Sequence, residues 1–379
     1  MKTIGSLSFI VSLLIGLTGN SQNLVSGSIQ HGGITRTFQY YVPAIYNSNT
    51  SVPLVLNLHG YTSNASQQAA YTKFHEIADT ANFITVYPDG TIQSTTNQRF
   101  WNFGIYGETV DDKGFLEALI DHFSNEYNIN QTKIYCTGMS NGGYMSYLMA
   151  CESTKIAKIG CVTGSMSLPM YINCNSLSAK PIIHIHGTAD NVVSYTGNTT
   201  SKAVEDVVAF WANRNGCNAT PNIYAIPNTN TSDGATAERW LYNGSASGNT
   251  VELFKVIGGG HTWPGAIHLG VNGNTCQDFN ASKEIWRFFN NYTAELSIAK
   301  LENNQKVIYP NPTNGLIQFD TELDINLVEV TDLQGRLIQT IQGNNLKQIN
   351  LENLENGNYI VKLQTQTGEF VHQQITYLK

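Results

Sequence analysis

Short apolar runs alternate with segments of helical spacing through residues 50–292. The runs are almost wholly apolar, which is typical of strands buried on both faces of a sheet. The strand-like runs are PLVLNLHG, ITVYPDG, KIYCTG, IGCVTGSM, PIIHIHG and VELFKVIGGG, and the helix-like segments are FHEIADTANF, DDKGFLEALIDHFSNEYN, SKAVEDVVAFWANRNG and ASKEIWRFFNNY. This alternation predicts a mostly parallel sheet with helices on both faces. Ligands bind such sheets at the carboxyl ends of the strands.

The two ends of the chain depart from this alternation. NLVSGSIQ and RTFQYYV, separated by HGGI, predict a hairpin before the main sheet. Residues 296–305 are polar and predict a linker. From 306 to 379 the chain has short alternating runs, with turns at Gly335, Gly357 and Gly368. These runs predict a small all-β sandwich, and they hold no cluster of acid, base or nucleophile.

The first residues have the layout of an export signal. Lys2 supplies a positive start, IGSLSFIVSLLIGL is a short apolar stretch, and TGNSQ offers small residues for cleavage near Ser21. The apolar stretch is shorter than the roughly 20 residues that span a bilayer, so we interpret residues 1–21 as a signal peptide rather than an anchor. No later segment is predicted to cross a membrane.

Composition agrees with a protein that works outside the cell. Among 379 residues, 41% are apolar and only 13% are charged, and the net charge is -7. The chain has no basic run that could follow a phosphate backbone, so we expect no nucleic-acid partner. The location predicted from these features is secreted or cell-surface.

Six cysteines in an exported chain make disulfides the expected state. Cys136 and Cys161 lie in strand-like runs, where a free buried thiol is ordinary. The other four flank loops, and six cysteines allow fifteen full pairings. Our hypothesis pairs Cys151 with Cys174 and Cys217 with Cys276.

The segment GMSNG, residues 138–142, has the form of a nucleophile elbow. In this motif a serine projects from a sharp strand-to-helix turn, and the two glycines remove side chains that would collide there. KIYCT before it is strand-like and GYMSYLMAC after it is helix-like. This context favours Ser140 as a nucleophile over a small-residue turn.

A serine nucleophile needs a base and an acid that orients the base. Asp190 follows the strand-like run PIIHIHG, and His261 follows VELFKVIGGG. The chain order Ser140, Asp190, His261 is the order of an α/β-hydrolase triad. We interpret the competing histidines and acids as structural, namely His184 and His186 as core or loop-anchoring residues, His75 and His122 on helices, His268 with no strand before it, and Asp206 and Asp233.

Attack on a carbonyl also requires donors for the oxyanion. The amide of Asn141, directly after the nucleophile, is the first predicted donor. The second is the amide of Tyr61, in the loop LHGYTSN that follows an early strand. Gly60 allows the backbone to approach closely at that point.

Five motifs together resemble the secreted esterases grouped as polyhydroxybutyrate depolymerase-like, feruloyl and acetylxylan esterases. They are LHGYTSN, VDDKGFLEALID, YCTGMSNGGYMSYLMAC, HIHGTADNVVSY and GGGHTWPG, spread over residues 24–292. The resemblance implies an α/β-hydrolase fold and ester hydrolysis by Ser140, Asp190 and His261. It also implies Trp263 near the acyl or leaving-group pocket and Trp101 at the pocket rim. One departure is Tyr61, where many relatives carry cysteine.

The tail resembles the type A C-terminal sorting domain of the type IX secretion system. YPNPTNG, VEVTDLQGRLI and LENGNYIVKL carry this resemblance. It implies that the tail is recognised by the secretion machinery. Whether it is removed after export stays open.

The predicted organisation is a signal peptide (1–21), an α/β-hydrolase esterase domain (22–295), a linker (296–305) and a β-sandwich sorting domain (306–379). The predicted function is a secreted serine ester hydrolase that needs no cofactor or metal. Its ester substrate is feruloyl or acetyl xylan, or a polyhydroxyalkanoate-type polyester. A serine peptidase on the same fold and a catalytically dead surface-binding protein remain as alternatives. The natural ester, the disulfide pairing and the oligomeric state stay open.

Overall fold

The structure, a computed structural model, describes residues 24–174, 179–268, 270–290, 308–319, 324–332, 337–351, 354–366 and 370–378. The chain divides into two units, residues 1–294 and 295–379. The predicted signal peptide, 1–21, and the predicted linker, 296–305, lie outside the described residues.

One mixed sheet organises the described part of the first unit. Its strand order is β1-β2-β4-β3-β7-β8-β9-β12-β11-β10. The strands are β1 Val25–His31, β2 Ile34–Tyr41, β3 Val52–Leu58, β4 Ile84–Pro88, β7 Ile129–Met139, β8 Lys158–Val162, β9 Ile182–Gly187, β10 Asn222–Ile226, β11 Thr236–Tyr242 and β12 Val251–Ile257. The run from β4 to β12 is parallel, as predicted, and antiparallel strands flank it. A separate short pair joins β5 Thr91–Ile92 to β6 Arg99–Phe100.

Helices cover both faces of this sheet. They are α1 Ala65–Thr72, α2 Phe74–Ala81, α3 Asp112–Glu126, α4 Asn141–Glu152, α5 Leu168–Asn173, α6 Val204–Arg214 and α7 Ala281–Asn290. Successive side chains of a strand point to opposite faces. Accordingly, Leu54 and Leu56 of β3 join one apolar cluster with α3 and α6, whereas Val55 joins a second cluster with α2 and α7. This layering confirms the predicted α/β-hydrolase class.

The second unit is all-β in its described residues. Its strands are β13 Ile308–Tyr309, β14 Leu316–Phe319, β15 Ile325–Asp332, β16 Leu337–Leu346, β17 Gln348–Asn350, β18 Gly357–Thr365 and β19 Phe370–Tyr377. They form one sheet ordered β13-β14-β17 and another ordered β16-β15-β18-β19. An apolar core that includes Ile317, Val328 and Leu363 fills this unit. The predicted small all-β region is confirmed.

One of the two predicted disulfides is present. Cys151, at the end of α4, is bonded to Cys174, directly after α5. The second predicted pair is wrong, because Cys217 and Cys276 are free thiols. The Cys217 thiol donates to the carbonyl of Asn249, and Cys276 is buried.

The described helices include none with the length and apolar character needed to cross a bilayer.

Candidate active site

Ser140 occupies the sharp turn between β7 and α4. Its backbone has φ 54° and ψ -118°, a conformation that non-glycine residues adopt at the cost of strain. Two hydrogen bonds hold it there: the Ser140 N–H donates to the Val162 carbonyl of β8 at 2.9 Å, and the Ser140 carbonyl accepts from Tyr144 at 3.0 Å. The strain is therefore maintained by the strand and the helix on either side.

The two glycines around Ser140 are required by close backbone contacts. A Cβ at Gly142 would lie 2.4 Å from the Leu58 carbonyl oxygen and 2.6 Å from that of His59. A Cβ at Gly138 would lie 2.5 Å from the Gly142 carbonyl group. Real Cβ atoms do not approach backbone this closely, so α4 can begin against β3 only with glycine at both positions.

Asp190 lies beyond the end of β9 with its carboxylate fully engaged. One oxygen, Oδ1, accepts from the main-chain N–H groups of Val192 and Val193, each at 2.8 Å. The other, Oδ2, accepts from His261 Nδ1 at 2.8 Å and lies 3.2 Å from His186 Nε2. Burial alone would raise the pKa of Asp190, but its contacts with His186 and His261 outweigh burial and lower it. Asp190 is therefore a carboxylate at neutral pH.

His261 follows β12 in a loop that packs tightly on the end of β9. The His261 N–H donates to the Asn272 carbonyl at 2.7 Å, and the Ala189 N–H donates to the Gly259 carbonyl at 2.9 Å. A Cβ at Gly187 would lie 2.2 Å from the Gly259 carbonyl oxygen. The glycines therefore allow the Asp190 and His261 loops to approach within hydrogen-bond distance.

Ser140 and His261 line one cavity of about 530 Å³, together with Gly60 and Tyr61. Within the described residues, the Ser140 hydroxyl makes no hydrogen bond to His261. Nucleophile–base hydrogen bonds are often long without substrate and shorten in the reacting complex. The cavity thus brings together the predicted nucleophile, the predicted base and the loop of the predicted oxyanion donor.

The two predicted oxyanion donors flank Ser140. Asn141 is the first residue of α4, where main-chain N–H groups have no partner within the helix. The Tyr61 N–H belongs to the loop after β3, and a Cβ placed on Gly60 would lie only 3.5 Å from Ser140 Cβ. Both amides therefore lie beside the serine.

His59 is a residue of this site that the sequence reasoning passed over. Its Nδ1 lies 2.7 Å from the Gly60 carbonyl oxygen, and its Nε2 accepts from the Gly90 N–H at 3.0 Å. The C=O and N–H of a trans peptide point in opposite directions, so holding the Gly60 carbonyl also directs the Tyr61 N–H. Burial lowers the pKa of His59 to about 4, which keeps it neutral. The sequence signal that could have indicated His59 was its position directly after the apolar run of β3.

Comparison with known proteins agrees with this geometry. Residues 37–192 match the model of the family described as esterase PHB depolymerase, and residues 307–377 match the secretion system C-terminal sorting domain. The predicted resemblance to these esterases is confirmed. The sorting domain likewise confirms the predicted extracellular or cell-surface location.

Two curated relatives and one solved structure illustrate the similarity. The chain is similar to the bifunctional acetylxylan esterase/xylanase XynS20E of Neocallimastix patriciarum (30% identity, 43% of this chain, 22% of that protein). It is also similar to feruloyl esterase B of Piromyces equi (27% identity, 58% and 41%). The chain thus spans less than half the length of either relative. The acetyl xylan esterase from Aspergillus awamori aligns over 64% of this chain and 96% of its own, with 16% identity and a TM-score of 0.47.

The expected rim position of Trp101 is wrong. Its side chain is fully buried, and its Nε1 donates to the His59 carbonyl at 3.0 Å. Its main-chain N–H donates to the Asn141 side-chain oxygen at 2.6 Å. Trp101 therefore joins the oxyanion loop to the start of α4 rather than facing a substrate.

Trp263 is also placed differently from the expectation. Its side chain is 1% exposed, and its Nε1 donates to Ser282 Oγ at 3.0 Å. It lines a neighbouring cavity of about 960 Å³ rather than the one around Ser140. Its main-chain N–H donates to the Tyr71 hydroxyl, and Tyr71 lines both cavities. Trp263 therefore lies next to the Ser140 cavity, bonded to one of its lining residues, without lining it itself.

One described group of side chains has the composition of a metal site. Ligand atoms of Asp233, Cys276 and Asp278 lie within 4.8 Å of one another. However, Asp233 already accepts from the N–H groups of Ala235 and Gln277, and Asp278 from residues 229 and 230. These carboxylates stabilise loop backbone, which explains their proximity without a cation.

Proposed function

We propose that the first unit, residues 1–294, is a serine carboxylic-ester hydrolase that works through an acyl-enzyme. The observation that carries this proposal is the shared cavity of Ser140 and His261, with His261 Nδ1 bonded to the buried Asp190 carboxylate. The strained turn at Ser140 supports it, because strain of this kind is characteristic of a presented nucleophile. Similarity to esterases supports the choice of an ester as substrate.

In the first half-reaction, His261 Nε2 takes the Ser140 proton while the hydroxyl oxygen attacks the ester carbonyl. The amides of Tyr61 and Asn141 stabilise the oxyanion. His261 then gives the proton to the leaving alcohol, and the acyl group stays on Ser140. In the second half-reaction water replaces the alcohol and the same proton transfers release the acid. Asp190 stabilises the charged imidazole and fixes its tautomer.

The cavity wall supports an acyl or alcohol group with apolar character. Tyr71, Met139, Ile267 and Val271 line it beside the catalytic groups. Ile267 and Val271 are 74% and 58% exposed, so the apolar surface continues to the cavity rim. We propose plant cell-wall esters, feruloyl or acetyl xylan, or polyhydroxyalkanoate-type polyesters as the substrate class.

The tail contributes export rather than catalysis in this proposal. Its residues 307–377 match a secretion sorting domain, and we propose the type IX secretion machinery as its partner. Deleting residues 296–379 should leave the protein inside the producing cell, with hydrolysis in a lysate retained. Export of the truncated protein would contradict this role.

The enzymatic proposal is tested by kinetics on p-nitrophenyl acetate. We expect turnover by the wild type and a loss of at least about 10⁴-fold in Ser140→Ala, since removal of a triad member abolishes most catalysis. Ser48→Ala, at an exposed serine, is the matched control and should retain full activity. A Ser140→Ala variant with wild-type activity would contradict the role of Ser140, and an inactive wild type would favour a surface-binding protein.

A panel of substrates distinguishes the ester classes. Methyl ferulate, acetylated xylan and polyhydroxybutyrate film each require the same catalytic groups but different cavity shapes. We expect kcat/KM on at least one to exceed that on p-nitrophenyl acetate. A peptide substrate turned over in preference to all three would instead favour the peptidase.

A further inference from the structure

Four buried side chains continue the hydrogen-bond chain behind His261. Asp190 Oδ2 lies 3.2 Å from His186 Nε2, and His186 Nδ1 lies 3.1 Å from His184 Nε2. His184 Nδ1 in turn lies 2.7 Å from the hydroxyl of Tyr147, on α4. All four are at most 6% exposed. The sequence reasoning treated His184 and His186 as core residues, which describes their burial but not their connection.

The direction of this chain follows from its acceptor at one end. His186 Nε2 faces only oxygens that accept, namely the Val193 carbonyl at 2.8 Å and Asp190 Oδ2. It must therefore carry a proton, and a neutral His186 then accepts at Nδ1. His184 consequently donates from Nε2 and accepts at Nδ1, where Tyr147 donates. Every proton has one consistent position.

The surrounding groups favour a neutral His184. Burial lowers the pKa of His184 well below its ordinary value, and the neighbouring His186 lowers it further. The other titratable groups that face these side chains are Tyr144, Cys161 and Tyr195, besides Tyr147 itself. Burial raises the pKa of each of them, so they carry no charge at neutral pH. Asp190 is the charged group.

We propose that His186, oriented by His184 and Tyr147, is a positioning residue that fixes the Asp190 carboxylate for His261. This inference rests on the proposed function, since it assigns Asp190 and His261 to catalysis. Three hydrogen bonds, from the two loop amides and from His261, hold the Asp190 carboxylate. The His186 Nε2–H, which donates to the Val193 carbonyl, lies 3.2 Å from Asp190 Oδ2 and is the further polar group that borders this oxygen. Without the His186 donor, the carboxylate can rotate away from His261 Nδ1.

The first test compares two substitutions at His186. His186→Leu removes the donor, and we expect kcat to fall roughly 10- to 100-fold with KM little changed. The acidic limb of the kcat/KM profile should also shift, because Asp190 then stabilises the imidazolium less well. His186→Gln places an amide N–H near the former Nε2 and should restore most of kcat. Equal kcat values and pH profiles for the two variants would overturn the proposal.

The second test concerns Tyr147, the last side chain in the series behind His261. Tyr147→Phe removes the hydroxyl that donates to His184, and we expect a loss of several-fold in kcat. Tyr87→Phe is the matched control. Tyr87 is also a buried tyrosine whose hydroxyl contacts a histidine, but that histidine, His75, does not belong to the series of side chains behind His261. Tyr87→Phe should leave kcat unchanged. Equal losses in both variants would overturn the extension to Tyr147.

A measurement independent of activity covers the case in which His186→Leu fails to fold. Long-range ¹H–¹⁵N spectra of the wild type, with histidine labelled and assigned through His186→Gln, report each ring's tautomer. We expect His184 and His186 to be neutral Nε2–H tautomers at pH 7. An Nδ1–H tautomer or a charged ring at either position would overturn the proposal. If the wild type hydrolyses no ester, the proposed function fails. The spectrum still tests whether the two histidines have the proposed tautomers.

Discussion

The candidate site has two halves that are held in different ways. The nucleophile half comprises the ends of β3 and β7, with Ser140 and the Tyr61 loop. The acid–base half comprises the ends of β9 and β12, with Asp190 and His261. Each half contains a buried histidine next to its functional group, His59 in the first and His186 in the second.

The nucleophile half depends on main-chain contacts. Gly142 packs directly on two carbonyl oxygens. The Asn141 side chain forms hydrogen bonds with the main-chain N–H and carbonyl groups of Trp101. His59 likewise contacts two main-chain groups, those of Gly60 and Gly90. Main chain cannot adjust without moving a strand or a helix, so damage in this half should affect folding as well as catalysis.

The acid–base half also has close main-chain packing, of Gly187 on Gly259, but adds a series of side-chain contacts around one carboxylate. His186, His184 and Tyr147 each add one hydrogen-bonded contact in sequence. Losing one of these side-chain partners leaves the glycine packing in place and changes mainly how firmly Asp190 is held. Damage in this half should therefore be graded and visible mainly in kcat.

Among the supporting residues of the two halves, Asp190 should show the largest effect on kcat. Asp190→Asn should lower kcat by about 10³- to 10⁴-fold, because an amide does not stabilise the charged imidazole and can favour the wrong tautomer. Stability should change much less, as the two loop amides can still bond the side-chain oxygen. Steady-state kinetics and chemical denaturation on the same samples check this. A variant that loses stability in proportion to activity would break the distinction between the halves.

Gly142→Ala should have its largest effect on stability rather than on kcat. Its Cβ would lie 2.4 Å from the Leu58 carbonyl oxygen, so we expect several kcal/mol of destabilisation from overpacking. Gly357→Ala is a control, because a Cβ there makes only ordinary contacts, the nearest at 3.7 Å. Thermal unfolding followed by circular dichroism measures both. A Gly142→Ala protein as stable as the control would contradict the main-chain description.

Substitution of His59 should have an intermediate effect. His59→Phe keeps an aromatic ring beside Trp101 but loses the donor to the Gly60 carbonyl, which frees the peptide that carries the Tyr61 N–H. We expect kcat to fall by roughly 10- to 100-fold, less than the loss of a whole oxyanion donor. His59→Asn can still donate at this point and should retain more activity. If the two variants are equally active, the Tyr61 amide is oriented by something else.

The smallest effect is the pH dependence of stability from His59. Its pKa is lowered to about 4 by burial, so the unfolded chain binds this proton first as the pH falls. Stability from this source is complete above about pH 7 and is lost down to about pH 4, by about 2 kcal/mol between pH 7 and pH 5. Denaturant unfolding of wild type and His59→Asn at both pH values isolates the difference. An unchanged pH dependence in the variant would show that His59 is not buried and neutral.

The sequence could predict the parts of the fold that depend on local pattern. The buried parallel strands, α2, α3, α6 and α7 follow from continuous apolar runs or helical spacing. Helix α1, strand β11 and the edge strand β10 were missed. Helix α1 has a weak apolar pattern and is capped by Asn64, while β10 is mostly exposed and acquires its pairing from β11.

The candidate site was predictable where residue type and position after a strand are sufficient, as for Ser140, Asp190 and His261. Side-chain direction was not predictable in the same way. Trp101 and Trp263 could equally have faced a substrate or the core, and tertiary packing buried both. The free Cys217 and Cys276 show the same limit, because disulfide pairing depends on distances across the fold.

The most direct test of the central claim is to label the nucleophile covalently and to identify the labelled residue. The wild-type protein is treated with a fluorophosphonate probe, and the modified peptide is identified by mass spectrometry. We predict one adduct per chain, on Ser140, that is absent from Ser140→Ala and reduced by a competing ester. A protein that hydrolyses esters without modification of Ser140, or with the adduct on another residue, would contradict the account.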